Sequence, residues 1–219
     1  MIDLTRDGEV FVLTMHDGEN RLSPPMLDAL DAALTEVAEA EGPRALVTTG
    51  SDRFYSNGLD LDWLGDHPDE MLPYLGRVHA LFARILSMPC ATVAACNGHT
   101  FAAGAMLAIA HDVRVMRSDR GYWCLPEVDL SLPLPAGTPE ILRTRLTPAN
   151  IRDLVLSGAR IGADEALRRG VVDEACAMDA LLPRALEIAR ARGGKDRANF
   201  AVLKRLINQE AVGAIEATG

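Results

Sequence analysis

Basic charge is scarce in this sequence: 22 lysines and arginines stand against 31 aspartates and glutamates, a formal net charge of −9. An acidic surface repels a phosphate backbone, which argues against nucleic acid as a partner. An anionic ligand therefore needs a local basic pocket or backbone N–H donors. The four cysteines, Cys90, Cys96, Cys124 and Cys176, contain no C-x-x-C pair. Three of them sit in apolar segments, which predicts reduced core thiols in a reducing compartment. No apolar run approaches the roughly 20 residues that a membrane helix needs. The opening MIDLTRDGEV is charged and has no apolar h-region, and the closing EATG carries no targeting motif, so the expected location is the cytoplasm.

The common catalytic motifs are missing too. After the apolar run 90–96 only Gly98 and Gly104 are glycine, so a dinucleotide fingerprint is absent. The segment GGKD (193–196) lacks the spacing and the Ser/Thr of a phosphate loop, and no G-x-S-x-G occurs. His16, His67, His79, His99 and His111 are scattered, with no H-E-x-x-H, so neither zinc nor another metal is expected.

What is present is a chain of 219 residues, 48% of them hydrophobic, enough to bury a sizeable core without disulfides. Val10 to Met15 reads as a strand ending at the Asp17-Gly18 turn. Ser23-Pro24 reads as a helix start, with Leu27, Leu30, Leu34 and Val37 at helical spacing through residues 24–40. ALVTTG (45–50), CATVAAC (90–96) and VRVM (113–116) read as buried strands. Between the first two lies a helix with Leu75, Val78, Phe82 and Ile85 inward, stopped by Pro89. Continuously apolar strands alternating with helices predict an α/β fold with a parallel sheet covered on both faces. Downstream, Thr147-Pro148 caps a helix, residues 162–170 form another, VVDEA is a last strand, and 181–192 and 198–208 are two further helices.

Two backbone features stand out. In NGHTFAAGAMLAIAHD (97–112) a turn follows a buried strand and a helix begins near Ala102. The first N–H groups of a helix have no internal partner and carry the positive end of its dipole. Ala102, Ala103 and Gly104 leave room for a ligand carbonyl there; tight helix–sheet packing explains them equally well. In SNGLDL (56–61), also after a strand, Gly58 lets the backbone turn and present the N–H of Leu59. Two such donors at two strand ends would make an oxyanion hole, in which each donor is typically worth about 10²–10³ in rate.

FYSNGLDL (54–61) resembles the first signature of the enoyl-CoA hydratase/isomerase (crotonase) superfamily, and NGHTFAAGAMLAIAHDVRVM the second. LPEVDLSLPLPAG (125–137) is similar to the third, and LVLSGARIGADEALRRGVVDEA (154–175) to the segment packed behind it. The resemblance covers nearly the whole chain. It implies a crotonase-like spiral of β-β-α units. Residues 1–145 would be the core carrying the CoA site, and 146–219 a helical C-terminal region that helps assemble homotrimers or homohexamers. It implies that the N–H groups of Leu59 and Ala103 form the oxyanion hole for an acyl-CoA thioester. Ser56, Asn57, Gly58, Leu59, Asp60 and Leu61 would lie along CoA, with Gly104 and Arg21 as further contacts. No cofactor is implied, since coenzyme A belongs to the substrate.

Hydratases of this family hold water between two glutamates. Here one position is Met106, which cannot ionise, and the other is Glu127. The apolar neighbours Trp123, Leu125, Val128 and Leu130 predict a buried Glu127 with a raised pKa. One base suits a 1,3-proton shift, and the pattern resembles the Δ3,Δ2-enoyl-CoA isomerase branch. Two departures are Ala102-Ala103 where many members carry glycines, and Asp62 where many place a lysine. The alternatives are a hydratase or hydrolase using Asp60, Asp129 or Glu140 as second acid, and a silent acyl-CoA-binding subunit.

Overall fold

The computed structural model describes residues 1–217. The chain opens with strands β1 (Ile2–Asp7) and β2 (Val10–Met15), followed by helix α1 (Pro24–Glu39). Ser23 accepts the Met26 N–H at 3.4 Å and prolines occupy the first turn, so the cap read from sequence is the one used. Three strand pairs then follow in turn: β3 (Ala45–Gly50) with β4 (Phe54–Ser56), β5 (Ala91–Cys96) with β6 (His99–Phe101), and β7 (Val113–Arg117) with β8 (Trp123–Cys124). The first pair is followed by α2 (Leu61–Asp66) and α3 (Met71–Leu86), the second by α4 (Ala103–Ala110). After the third come α5 (Thr138–Arg143), α6 (Pro148–Ser157) and α7 (Ala163–Arg168). Strand β9 (Glu174–Cys176) and helices α8 (Met178–Gly193), α9 (Arg197–Ile207) and α10 (Gln209–Glu216) complete the described chain.

Each pair sends its first strand to one sheet and its second to another. The large sheet runs β1-β2-β3-β5-β7-β9, antiparallel only at β1–β2, and the small sheet runs β4-β6-β8, all parallel. This repetition of strand, strand and helix is the spiral of a crotonase-like α/β fold.

All six residues of β3 and all six of β5 are buried, because helices cover both faces of the large sheet. Ala45, Val47, Val93 and Ala95 face a cluster with Leu181, Ala185 and Ile188 of α8. Leu46, Ala94 and Cys96 face the larger core built on α1, α3 and α4. In α3 it is Tyr74, with Val78, Phe82 and Ile85, that is buried, while Leu75 is only half-buried.

The expected boundary near residue 145 does not divide two cores: β9 pairs with β7 at Val115↔Glu174, and α8 forms one cover of the sheet. Helix α9 exposes Val202, Leu203, Leu206 and Ile207 and buries Lys204. The Lys204 ammonium lies 2.8 Å from Asp112, just past the end of α4, and also donates to Thr92 Oγ1. All four cysteines are free, three of them buried. Among the described residues no helix is long and apolar enough to cross a membrane, and no group of three His, Cys, Asp or Glu could hold a metal.

Candidate active site

The small sheet brings the singled-out segments together. Strands β4, β6 and β8 lie side by side, with Ser56 opposite Thr100 and Phe101 opposite Cys124. The loops carrying Leu59, Ala103 and Glu127 leave the same ends of these three parallel strands.

The first loop is held by backbone bonds to the segment before α1. The Asn57 N–H donates to Glu19 O (2.9 Å) and the Leu22 N–H to Gly58 O (2.8 Å). Ser56 Oγ donates to Asn20 O at 2.7 Å and accepts the Gly58 N–H at 3.2 Å. Ser56 is fully buried, so its hydroxyl braces the turn and is not available to line a ligand channel. Gly58 has φ +88°, and a Cβ there would lie 3.0 Å from Ala102 Cβ, Ala103 N and Phe101 O. Glycine is required twice over, by its conformation and by contact with the second loop. Tyr74 Oη donates to Leu22 O (2.8 Å) and accepts the Asp60 N–H (2.9 Å), clamping the loop on the far side of Leu59. Burial pushes the Tyr74 hydroxyl up to about 12, so it stays a donor. Between these fixed neighbours the Leu59 N–H has no partner among the described residues.

The second loop is strained. Ala102 has φ +50° and ψ −125°, a conformation that alanine rarely adopts. It is held by its N–H bond to Cys124 O (3.0 Å) and by its carbonyl, which accepts from Ala105 and Met106. The bend turns the chain directly into α4, whose first residue is Ala103. Its N–H has no partner within the helix, and all eight residues of α4 are buried. A free amide thus sits at the positive end of a dehydrated helix. Gly104 has the packing role: a Cβ there would meet Ser56 O at 2.3 Å. The strain at Ala102 gives a direct expectation. Ala102→Gly removes it and raises stability by about 1 kcal/mol after allowing for glycine's backbone entropy. That is a rise of roughly 2–4 °C in Tm for a domain of this size, measured by calorimetry.

Glu127 follows β8 in a turn whose N–H groups at Asp129 and Leu130 donate to Pro126 O. Its side chain is 7% exposed. Its Oε2 is one of three buried side-chain polar atoms without a partner among the described residues, with Trp123 Nε1 and His99 Nδ1. Burial raises its pKa above the ordinary glutamate value. The expected apolar setting is only partly as read. Trp123 and Leu125 are buried, whereas Val128 and Leu130 point outward.

Met106 is buried in the second turn of α4. None of the three carboxylates weighed as a second acid shares the environment of Glu127. Asp60 caps α2 through the Trp63 N–H and faces Arg21. Asp129 is exposed, and Glu140 pairs with Arg143 at 2.7 Å. Arg21 is committed to Glu19 (2.8 Å), Asp60 (3.5 Å) and Asp62 (2.5 Å), so it brings CoA phosphates no net positive charge. Asp62 is exposed and Leu61 is 40% exposed, which leaves the rim of this loop open.

Tyr74 and Asn20 are the participants that sequence reasoning missed. The Asn20 side chain donates to Phe54 O (3.0 Å) and Tyr55 O (3.2 Å), fixing β4 from a residue itself at φ +51°. Neither has a local pattern that would flag it, since both act across 14 or more residues of chain.

Residues 5–218 match the profile of the enoyl-CoA hydratase/isomerase family. Peroxisomal enoyl-CoA delta isomerase 1 of Arabidopsis thaliana is 35% identical over 179 residues, covering 80% of this chain and 75% of its own. Carnitinyl-CoA dehydratase of Escherichia coli is 31% identical over 200 residues, covering 86% and 73%. Among solved structures, an enoyl-CoA isomerase of Mycobacterium tuberculosis superposes with a TM-score of 0.91 at 31% identity, over 99% of this chain and 95% of that one. Sequence and fold agree: the chain is an enzyme belonging to the enoyl-CoA hydratase/isomerase family.

Proposed function

We propose that this enzyme is a Δ3,Δ2-enoyl-CoA isomerase with one acid–base residue, Glu127. The observation that carries the reading is a buried Glu127 carboxyl, its Oε2 without a partner among the described residues, together with a methionine at the second acid position. The N–H groups of Leu59 and Ala103 donate to the thioester oxygen, which acidifies C2–H of a 3-enoyl-CoA. The Glu127 carboxylate removes that proton, and the negative charge moves onto the oxygen of the resulting dienolate. The protonated Glu127 then returns the proton at C4, giving the 2-enoyl-CoA with no net gain or loss of atoms. Ser56, Gly58 and Gly104 shape this hole, and Asn57, Asp60 and Leu61 border the CoA chain. Dehydration of α4 and Met106 disfavours attack by water.

Hydration is the second reading, favoured by the dehydratase among the relatives. The two separate cleanly. Incubated with crotonyl-CoA, an isomerase yields little 3-hydroxyacyl-CoA, while it converts 3-enoyl-CoA rapidly; rapid hydration with slow isomerisation would reverse the assignment. Titration calorimetry with an acyl-CoA that binds but never turns over would instead favour a silent binding subunit.

Tyr74→Phe frees the Asp60 amide and loosens the turn carrying Leu59. The expected result is a fall in kcat of about 10-fold or more, with KM nearly unchanged, because the lost alignment matters at the charged intermediate. A change confined to KM would mean that Tyr74 does not orient the hole. Assembly into homotrimers or homohexamers is supported by the exposed apolar residues of α9, and sedimentation velocity measures it.

A further inference from the structure

Most arginines of this chain are in ion pairs. Arg44, Arg192, Lys195 and Arg197 are in none among the described residues, yet all four line one cavity of about 20 Å³. The cavity lies where β3 and β5 begin, between the end of α1 and the junction of α8 with α9. Leu59 and Ala103 follow β4 and β6 of the small sheet, which the chain enters only after leaving the opposite ends of β3 and β5.

Arg44 forms the floor. It is 4% exposed, and its Nε and Nη1 donate to Gly42 O, Val37 O and Ala38 O. The bonds to Val37 O and Ala38 O cap the negative end of α1, and Nη2 has no partner among the described residues. Arg197 Nη2 also reaches Ala38 O, at 2.5 Å, and the rim residues Arg192, Lys195 and Arg197 are exposed.

Among the described residues no carboxylate forms an ion pair with these four cations, although Glu174 feels the charge of Arg192 at the rim. Burial, then the neighbouring Arg197 and Arg6, pull the Arg44 pKa down, the direction expected of a cation facing other cations. Cys90 lines the cavity, but burial pushes its thiol up to about 11, so it is uncharged. Asp196 is engaged in capping α9 through the Asn199 N–H at 2.8 Å. Glu9 approaches Gly193 from β2's side and makes no ion pair with the four cations. In a protein of net charge −9, a converging set of unpaired cations over a buried guanidinium fits an oxyanion.

We propose that this cavity is a phosphate-type oxyanion site, remote from the thioester site, with Arg44 as its floor and Arg192, Lys195 and Arg197 as its rim. The small volume admits one edge of the oxyanion, and the rim closes over the rest. The bound ion ties the end of α1 to the α8–α9 junction.

The test is thermal unfolding of the full chain in inorganic phosphate against chloride at equal ionic strength, with phosphate titration calorimetry. Calorimetric binding is expected to saturate, and phosphate is expected to raise Tm with the logarithm of its concentration, by about 5–11 °C at a hundredfold excess over Kd. The doubly substituted Arg192→Gln/Lys195→Gln protein, altered only at exposed positions, should keep its Tm in chloride and bind phosphate about 10-fold more weakly or worse. The phosphate response should persist in saturating acyl-CoA, which separates this site from the one that binds CoA. Absence of saturable calorimetric binding with a rise in Tm, an unchanged rise in the double variant, or loss of the response in acyl-CoA would each overturn the proposal.

Discussion

Glu127→Gln loses isomerisation of 3-enoyl-CoA by a factor on the order of 10²–10⁴ while its acyl-CoA dissociation constant stays nearly constant. The amide fills the same space and keeps the turn after β8, but cannot take up a proton from C2. The same variant is expected to gain stability near neutral pH. A carboxyl whose folded pKa is raised favours folding in its protonated form, and that contribution is lost as pH rises through the folded value. Above that folded value the native protein carries a buried charge with one oxygen unpartnered, and glutamine does not. Activity moves the opposite way with pH, since the working base is the ionised form. The acid limb of kcat/KM therefore falls at a pKa above 4.5, the ordinary glutamate value. Wild-type turnover by the variant, or an acid limb below that value, removes Glu127 from the chemistry.

Gly58→Ala has the second large effect. At φ +88° the new methyl group meets Ala102 Cβ, Ala103 N and Phe101 O together, each at 3.0 Å. Backbone on that side cannot yield as a flexible side chain would, so the two loops must part. Separation misaligns the Leu59 and Ala103 donors at once, and the expected fall in kcat is about 10²–10³-fold. Stability falls as well, by about 1–2 kcal/mol for the left-handed conformation alone. Circular dichroism distinguishes the cases: a folded variant with undiminished kcat would show that the two amides do not hold the reacting oxygen.

Much of this was legible in the sequence because it is encoded locally. The buried strands 45–50 and 90–96 announce themselves by continuous apolar character, and Ser23 and Thr147 mark helix starts that the structure uses. Glu127 stands out through its match to a family glutamate, and the burial expected from its apolar neighbours is found. The small sheet was not legible. Its strands are two or three residues long, too short for any periodicity to develop. Strand β1 was missed for a different reason. It is an edge strand with four of six residues exposed, so its sequence reads as a polar terminus. Val128 and Leu130 show the converse error, apolar residues that a tight turn throws outward next to one it buries. The role of Arg21 depended on partners 39 and 41 residues away, which only the folded chain assembles.

The three parallel strands β4, β6 and β8 carry a wider implication. On the proposed mechanism, the groups that stabilise negative charge are peptide amides, fixed by sheet register and by the bend at Ala102, and belong to no particular side chain. On the same mechanism, the groups that choose the fate of that charge are ordinary side chains, Met106 on α4 and Glu127 in the turn after β8. Electrophilic assistance is thus inherited with the backbone, while reaction type is written in a handful of replaceable residues. A scaffold divided in this way can acquire a new transformation of the same thioester by point mutation, without rebuilding the part that is hardest to build.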